Sequence, residues 1–296
     1  MAAAVVARIT FEIRDQTVSV AAEQSWPVSS DASETPYGVM EGDQVLRRGG
    51  VDLFLFGSAV SPARRPTTRM EVGLDVGRFS RRVIVTGDRV WRRAGSKLAP
   101  SAPVPFTTMP LALKRAFGGE IAWDGLAVKH PDNPDGIGFY STEEDAVGKP
   151  LPNVEEADMP VQAWSDRPLS AGLTFCSIQS HARLSNAIPI DAEGRVQAIT
   201  PLFFNAAFPR MIAPSVLAGD AVRLWGVAAD GAMTFAIPSA PARVRLRFDD
   251  LVKEHALKIE QVGFEVEKSR LFVSYRFGFR YAVVTGQLRS CELLPA

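Results

Sequence analysis

Val5-Val6-Ala7-Arg8-Ile9-Thr10-Phe11-Glu12-Ile13 decides the fold class. Val5, Ala7, Ile9, Phe11 and Ile13 fall on one side of a two-residue repeat, and Arg8, Thr10 and Glu12 on the other. That is the pattern of a half-buried strand. Residues 17–21 are placed to return beside it after Asp15-Gln16. Residues 51–56, after the Gly49-Gly50 turn, form another strand, too short for a stable helix. Residues 68–75 and 79–86 read as a hairpin about Gly77, and Gly87-Asp88 turns the chain into a strand at 90–92. In the second half, residues 220–227, 233–237, 242–248, 258–267, 270–277 and 280–288 read as strands. Asp230-Gly231 supplies a hairpin turn and Lys268-Ser269 another turn. Residues 24–46 are irregular, broken by Trp26-Pro27 and Thr35-Pro36. Residues 109–117 are the best local helix candidate, ended by Gly118-Gly119. From 129 to 160 almost every third or fourth residue is Pro, Gly, Asp or Asn, which calls for an ordered wrapping loop. The apolar stretch 202–208 reads as buried architecture. The expectation is a mainly β protein, an antiparallel β-sandwich-like architecture with long irregular loops and few short helices. No linker divides residues 1–296, so one domain is expected, with room for two intimately packed β subdomains.

The composition narrows the function classes. The 296 residues carry 33 basic and 33 acidic side chains, a net charge of zero, which argues against an electrostatically driven nucleic-acid binder. For a compact chain of this size the expected accessible surface is roughly 12,000 Å². The apolar start is interrupted by Arg8 and Glu12 before a span develops, and no leader pattern is read, so no membrane insertion and a cytoplasmic location are expected. Cys176 and Cys291 lie far apart and are expected as two buried thiols in a reducing compartment.

Local motifs for chemistry are weak. His130, His181 and His255 lack metal-ligand spacing, and Asp132-Asn133-Pro134-Asp135-Gly136 lacks the spacing of a calcium loop. Gly118-Gly119 and Gly136-Ile137-Gly138 have no phosphate-loop context. Cys176 and His181 would need thiol activation, and a core thiol with a loop histidine is the simpler reading. Glu155, Glu156 and Asp158 read as a solvated turn. Arg64-Arg65, Arg81-Arg82 and Arg89-Val90-Trp91-Arg92-Arg93 could contact nucleic acid, or Trp91 could face the core while its arginines meet acidic loops. No catalytic residue, cofactor or metal is expected.

One ordered series of blocks carries more. Asp52 and Gly57 precede Gly87-Asp88-Arg89-Val90-Trp91. Pro105-Phe106, Met109-Pro110-Leu111 and Ala116-Phe117-Gly118-Gly119 follow. Then come Asn133-Pro134, Gly136-Ile137-Gly138-Phe139, Gly148-Lys149-Pro150-Leu151-Pro152-Asn153 and Glu155. Phe203-Phe204-Asn205-Ala206-Ala207 and Leu217-Ala218-Gly219-Asp220 complete the order. In this combination the chain resembles the DUF2169 family over roughly residues 5–290. It departs where members carry a tryptophan-containing stretch, here ending Ser180-His181-Ala182-Arg183, and at Glu41-Gly42. The resemblance implies a type VI secretion context, in which some members look like adaptors that load a toxic effector onto the VgrG spike. It therefore implies an effector and VgrG as partners and no chemistry of the chain's own. The alternatives are a structural component of the secretion apparatus, or a hydrolase assembling Asp88, Asp132, Glu155 and His181 in one cleft. The loop 133–153 is expected to be pinned to the core, with Asn153 and Glu155 fixing backbone groups.

Overall fold

The computed structural model describes residues 2–239, 243–280 and 286–294. In chain order the strands of the three larger sheets begin with β1 (Ala2–Arg14), β2 (Thr17–Val20), β3 (Val51–Phe56), β4 (Arg69–Val76) and β5 (Phe79–Thr86). β6 (Val154–Glu156), β7 (Ile212–Ala213), β8 (Ala221–Trp225), β9 (Met233–Ala236) and β10 (Arg243–Arg247) come next. β11 (Val252–Ala256), β12 (Lys258–Glu265), β13 (Arg270–Arg280) and β14 (Ser290–Leu294) complete them. The first sheet has the order β7-β3-β12-β13-β1-β2, the second β6-β5-β4-β8-β9, and the third β11-β10-β14. The fold is mainly β, with only two short α-helices among the described residues, α1 (Glu143–Ala146) and α2 (His181–Ala187). Strand pairing is mostly antiparallel, but β3 and β12 run parallel at the centre of the first sheet.

Parallel strands are covered on both faces and read as nearly unbroken apolar runs. All six residues of β3 are buried, each of its Leu and Phe side chains adding about 1.5–3 kcal/mol by leaving water. One face of the sheet meets the second sheet, where Phe235 of β9 approaches Phe264 of β12 with ring centroids 6.0 Å apart. The other is roofed by irregular chain: Trp26 stacks on Phe56 at 5.5 Å, and Phe175 lies 4.8 Å from Phe54. This roof corrects the reading of β1 as half-buried. Thr10 is buried on the side expected to meet solvent, and the Arg8 side chain is only 1% exposed.

Several expected boundaries shift. Residues 109–117 do not form a helix. Thr108–Pro110 pairs with Ser58–Val60, the Leu111 amide donates to the Gly57 carbonyl, and only Leu113–Arg115 keeps a single 3-10 turn. Pairing with a distant strand outcompetes a weak local helix flanked by prolines. Asp230-Gly231 does not make a tight two-residue turn, because Leu224 is already opposite Met233 and the loop spans the residues between. Residue 242 and residues 281–285 of two expected strands lie outside the described residues. Residues 286–289 are not strand, and pairing resumes at β14. The irregular segment 24–46 contains a small hairpin, Ser33–Thr35 with Gly38–Met40. The accessible surface is 15373 Å², more than the compact expectation of roughly 12,000 Å².

The hairpin Glu120–Trp123 with Leu126–Lys129 contributes to that surface. It forms a two-stranded sheet by itself, and of its eight strand residues only Ile121 is not exposed. No helix among the described residues is long and apolar enough to cross a membrane.

Candidate functional site

Two polar assemblies gather the motif residues. The first is a row across the first sheet: register places Asp52 beside Gln261, Gln261 beside Ser274, and Ser274 beside Arg8. Asp52, fully buried, accepts from Asn205 Nδ2 at 2.8 Å, from the Ala206 and Ala207 amides at 3.0 and 3.2 Å, and from Gln261 Nε2 at 3.2 Å. Arg48 lies 3.3 Å from the same carboxylate and donates to the Phe204 carbonyl. Asn205 also donates to the Gly50 carbonyl at 3.0 Å and accepts the Gly49 amide at 2.9 Å. Asp43 takes Arg8 at 2.7 Å, and Arg276 is held by Glu260 and the Val45 carbonyl. Three arginines therefore face three carboxylates in a roofed seam. Burial lowers the Arg8 and Arg276 pKa values, and the nearby carboxylates oppose that shift. Each charge has a partner, as a buried charge requires.

The second assembly pins the middle loops. Trp91, 1% exposed, is clamped by backbone bonds to Gly148 and Lys149 and packs with Phe117, Ala146, Leu151 and Val161. The Leu151 amide donates to the Arg89 carbonyl, and Pro150 bridges Val90. Asn153 donates to the Thr86 carbonyl and to Asp88, each at 3.0 Å, and accepts from Arg115 at 3.0 Å. Glu155 holds Arg89 at 2.7 Å and accepts the Val161 amide at 2.9 Å, while Arg89 reaches the Pro152 carbonyl at 2.8 Å. Asn133 Nδ2 donates to the Leu113 and Phe117 carbonyls at 2.8 and 3.1 Å. The Asn133 backbone presses so closely on Gly118, and its side chain on Gly136, that a Cβ at either glycine would overlap it. Phe139 and Phe117 set their rings edge-on to His130, whose Nδ1 accepts the Asn133 amide at 3.3 Å. Burial holds the His130 pKa below its usual value. The Phe106 amide bonds Thr67, Met109 is buried between exposed Pro105 and Pro110, and Leu111 is buried. Gly219 donates to the Ile237 carbonyl, and Pro134 is exposed.

Apart from these assemblies, Phe203 and Phe204 lie on a 3-10 turn, and Phe204 stays 39% exposed, so the stretch 202–208 is buried only from Asn205 onward. The four residues of the hydrolase alternative divide. Asp88 and Glu155 belong to the loop assembly. Asp132 accepts from Ser180 Oγ and the Ala182 amide at the start of α2, where His181 is exposed. A cleft lined by Arg81, Glu156, Phe208 and Arg210 includes Asp132 and none of the other three. Arg81 and Arg210 are both bound to Glu156 there, so Glu156, expected in a solvated turn, is buried. Burial pushes the Cys176 thiol up to about 11, away from the thiolate a nucleophile needs. Cys291 is exposed, not buried as expected, and neither cysteine forms a disulfide. His255 stacks on Phe277 at 4.2 Å. Among the described residues, no three His, Cys, Asp or Glu side chains gather as metal ligands.

The seam's Arg48, Asp43, Glu260, Gln261 and Arg276 were not legible as a group, because the sequence scatters them among segments that meet only in the fold. Trp123 and Leu126 were missed although Asp124-Gly125 is a strong two-residue turn signal. The two segments that depart from the motif pattern touch each other: the Arg183 guanidinium binds both oxygens of the Glu41 carboxylate. The family described as "Uncharacterized protein conserved in bacteria (DUF2169)" matches residues 2–276. No curated protein and no solved structure matches the chain.

Proposed function

We propose, from the premise that the chain belongs to the DUF2169 family, that it is a cytoplasmic, non-enzymatic adaptor that helps load a toxic effector onto the VgrG spike of a type VI secretion system. The observation that carries this reading is where the motif side chains point. Asp52, Asn133, Asn153, Glu155 and Asn205 each bond at least one backbone group of a neighbouring segment, and all but Asn133 also meet side chains of the same assemblies. Such residues hold loops in place; they do not present a nucleophile and base to a substrate. A rigid β framework carrying ordered loops suits the display of a recognition surface. The secretion context implied by the family resemblance supplies the partners, and the effector would carry any toxic chemistry.

The test is reconstitution. The purified chain is mixed with the toxin-like and spike-like proteins encoded beside its gene and resolved by size exclusion. The expected outcome is a defined complex with the toxin, followed by transfer of the toxin to the spike. Failure to bind either protein, with both folded, would reject the adaptor reading. Stoichiometric retention in the assembled spike would make the chain a structural component.

A further inference from the structure

The hairpin Glu120–Trp123 with Leu126–Lys129 has an unusual distribution of side chains and backbone groups. Its register pairs Trp123 with Leu126 and Ile121 with Val128, so these four apolar side chains share one face. Trp123 is 60% exposed, Leu126 68% and Val128 39%, while Ile121 sits at the half-covered base. Glu120, Ala122, Ala127 and Lys129 occupy the opposite face, where Lys129 approaches Glu120 at 3.9 Å. The apolar face therefore carries no charge. Asp124 and Gly125 both have positive φ, 49° and 75°, as a tight two-residue turn requires. In such a hairpin Trp123 and Leu126 exchange backbone bonds, and alternate pairs do the same. The His130 amide donating to the Gly119 carbonyl at 2.8 Å continues that alternation at the base. The N–H and C=O groups of Ala127 and Lys129 consequently point outward along an edge with no neighbouring strand among the described residues.

We propose that this hairpin is the cargo-docking element of the adaptor. An extended segment of the effector pairs with the Leu126–Lys129 edge as a third strand and lays its alternate apolar side chains against the Trp123 face. This inference rests on the adaptor reading. The open edge specifies an extended backbone, since only a strand matches outward N–H and C=O groups at this spacing. The uncharged face selects apolar alternation in that strand, because a charged residue would be desolvated there without a partner. A second copy of the chain is a poorer fit. One tryptophan contributes at most about 250 Å², and with three aliphatic neighbours the face stays below the ~800 Å² per partner of a stable interface. A two-stranded hairpin is also marginal alone, and a third strand makes it a stable sheet.

The test uses the full chain with the neighbouring toxin-like protein as probe. Trp123→Ser with Leu126→Ser removes the apolar face. Ala127→Pro removes one outward donor while leaving the hairpin's own bonds, because proline is tolerated at a strand edge. Leu217→Ser, at a residue 65% exposed outside the hairpin, is the control. The expected result is about a tenfold or greater loss of affinity in both hairpin variants. The control should bind normally, thermal midpoints should be unchanged, and the Ala127 and Lys129 amides should exchange more slowly in the wild-type complex. Normal binding by both hairpin variants, or unchanged exchange at those amides, overturns the hairpin assignment and leaves the adaptor reading standing. A wild-type chain that binds no toxin rejects both together.

Discussion

The Asp52 seam and the Glu120–Lys129 hairpin are both β structure, and they handle polar and apolar groups in opposite ways. In the seam three arginines and three carboxylates lie under a roof of aromatic chain, each bonded to another segment. In the hairpin a tryptophan and a leucine face solvent, while backbone groups along both edges lack strand partners among the described residues. Burial here follows the availability of partners, not residue polarity. Asp52 is buried because distant segments bring it four hydrogen-bond donors and nearby Arg48 adds an ion pair, and Trp123 is exposed because no such partners come. The first arrangement fixes the fold, and the second leaves surface free for another molecule.

Mutation can break this contrast from either end. Asp52→Ala should have the largest effect, costing about 3–5 kcal/mol by stripping Arg48 of its closest carboxylate and orphaning the amides of Ala206 and Ala207. Urea unfolding monitored by tryptophan fluorescence reads that cost, and a loss under 1 kcal/mol would mean the seam is not a stabilising junction. Asn153→Leu should cost less, about 1–3 kcal/mol, since it removes the bonds to the Thr86 carbonyl, Asp88 and Arg115 while Asp88 and Arg115 keep each other as partners. Hydrogen exchange across residues 136–155 should be slow in the wild type and faster in this variant. Fast, unchanged exchange would mean the loop is mobile despite its bonds.

Acid sharpens the comparison within the loop layer. The His130 pKa is held below the ordinary 6.5, so the unfolded chain binds the proton more readily. The histidine's contribution is therefore complete above about pH 6.5 and is lost as pH falls toward the lowered native value. His130→Gln should flatten that part of the stability–pH curve, measured as urea midpoints from neutral to mildly acidic buffer. The smallest effect on folding is expected at the hairpin. Trp123→Ser with Leu126→Ser should change stability by no more than about 0.5 kcal/mol, as for exposed positions generally. A larger loss would show that the apolar face is used within the chain after all.

The sequence made the strands legible wherever alternation was clean. β1, β3, β4, β5 and β13 follow from a two-residue repeat or a short apolar run bounded by turns. Alternation assigns faces but not neighbours, so the parallel pairing of β3 with β12 and the burial of Arg8 could not be read. Arg8 looked solvent-facing because its carboxylate, Asp43, arrives from a roof segment with no periodic pattern. The helix expected at 109–117 failed because local propensity is weak beside pairing with residues 58–60. The ordered motifs pointed to Asn153 and Glu155 without revealing that Thr86, Arg89 and Val161 complete their bonds. The hairpin at 120–129 fell between the helix expected at 109–117 and the loop expected from residue 129, although Asp124-Gly125 between two apolar residues was a usable signal.

The parallel pairing at the centre of the first sheet also bears on synthesis. Asp52 and its neighbour Gln261 are 209 residues apart in the chain. While the ribosome is still adding that interval, Val51-Asp52-Leu53-Phe54-Leu55-Phe56 has emerged without the strand that fills one of its edges. Leu53, Phe54, Leu55 and Phe56 are each 0% exposed in the finished fold, so the nascent segment holds sticky side chains in water for most of translation. Distant pairings of this kind close slowly and leave aggregation-prone intermediates. A nascent chain released before residue 265 would carry an unmatched apolar strand, so truncation at that point is expected to favour inclusion bodies.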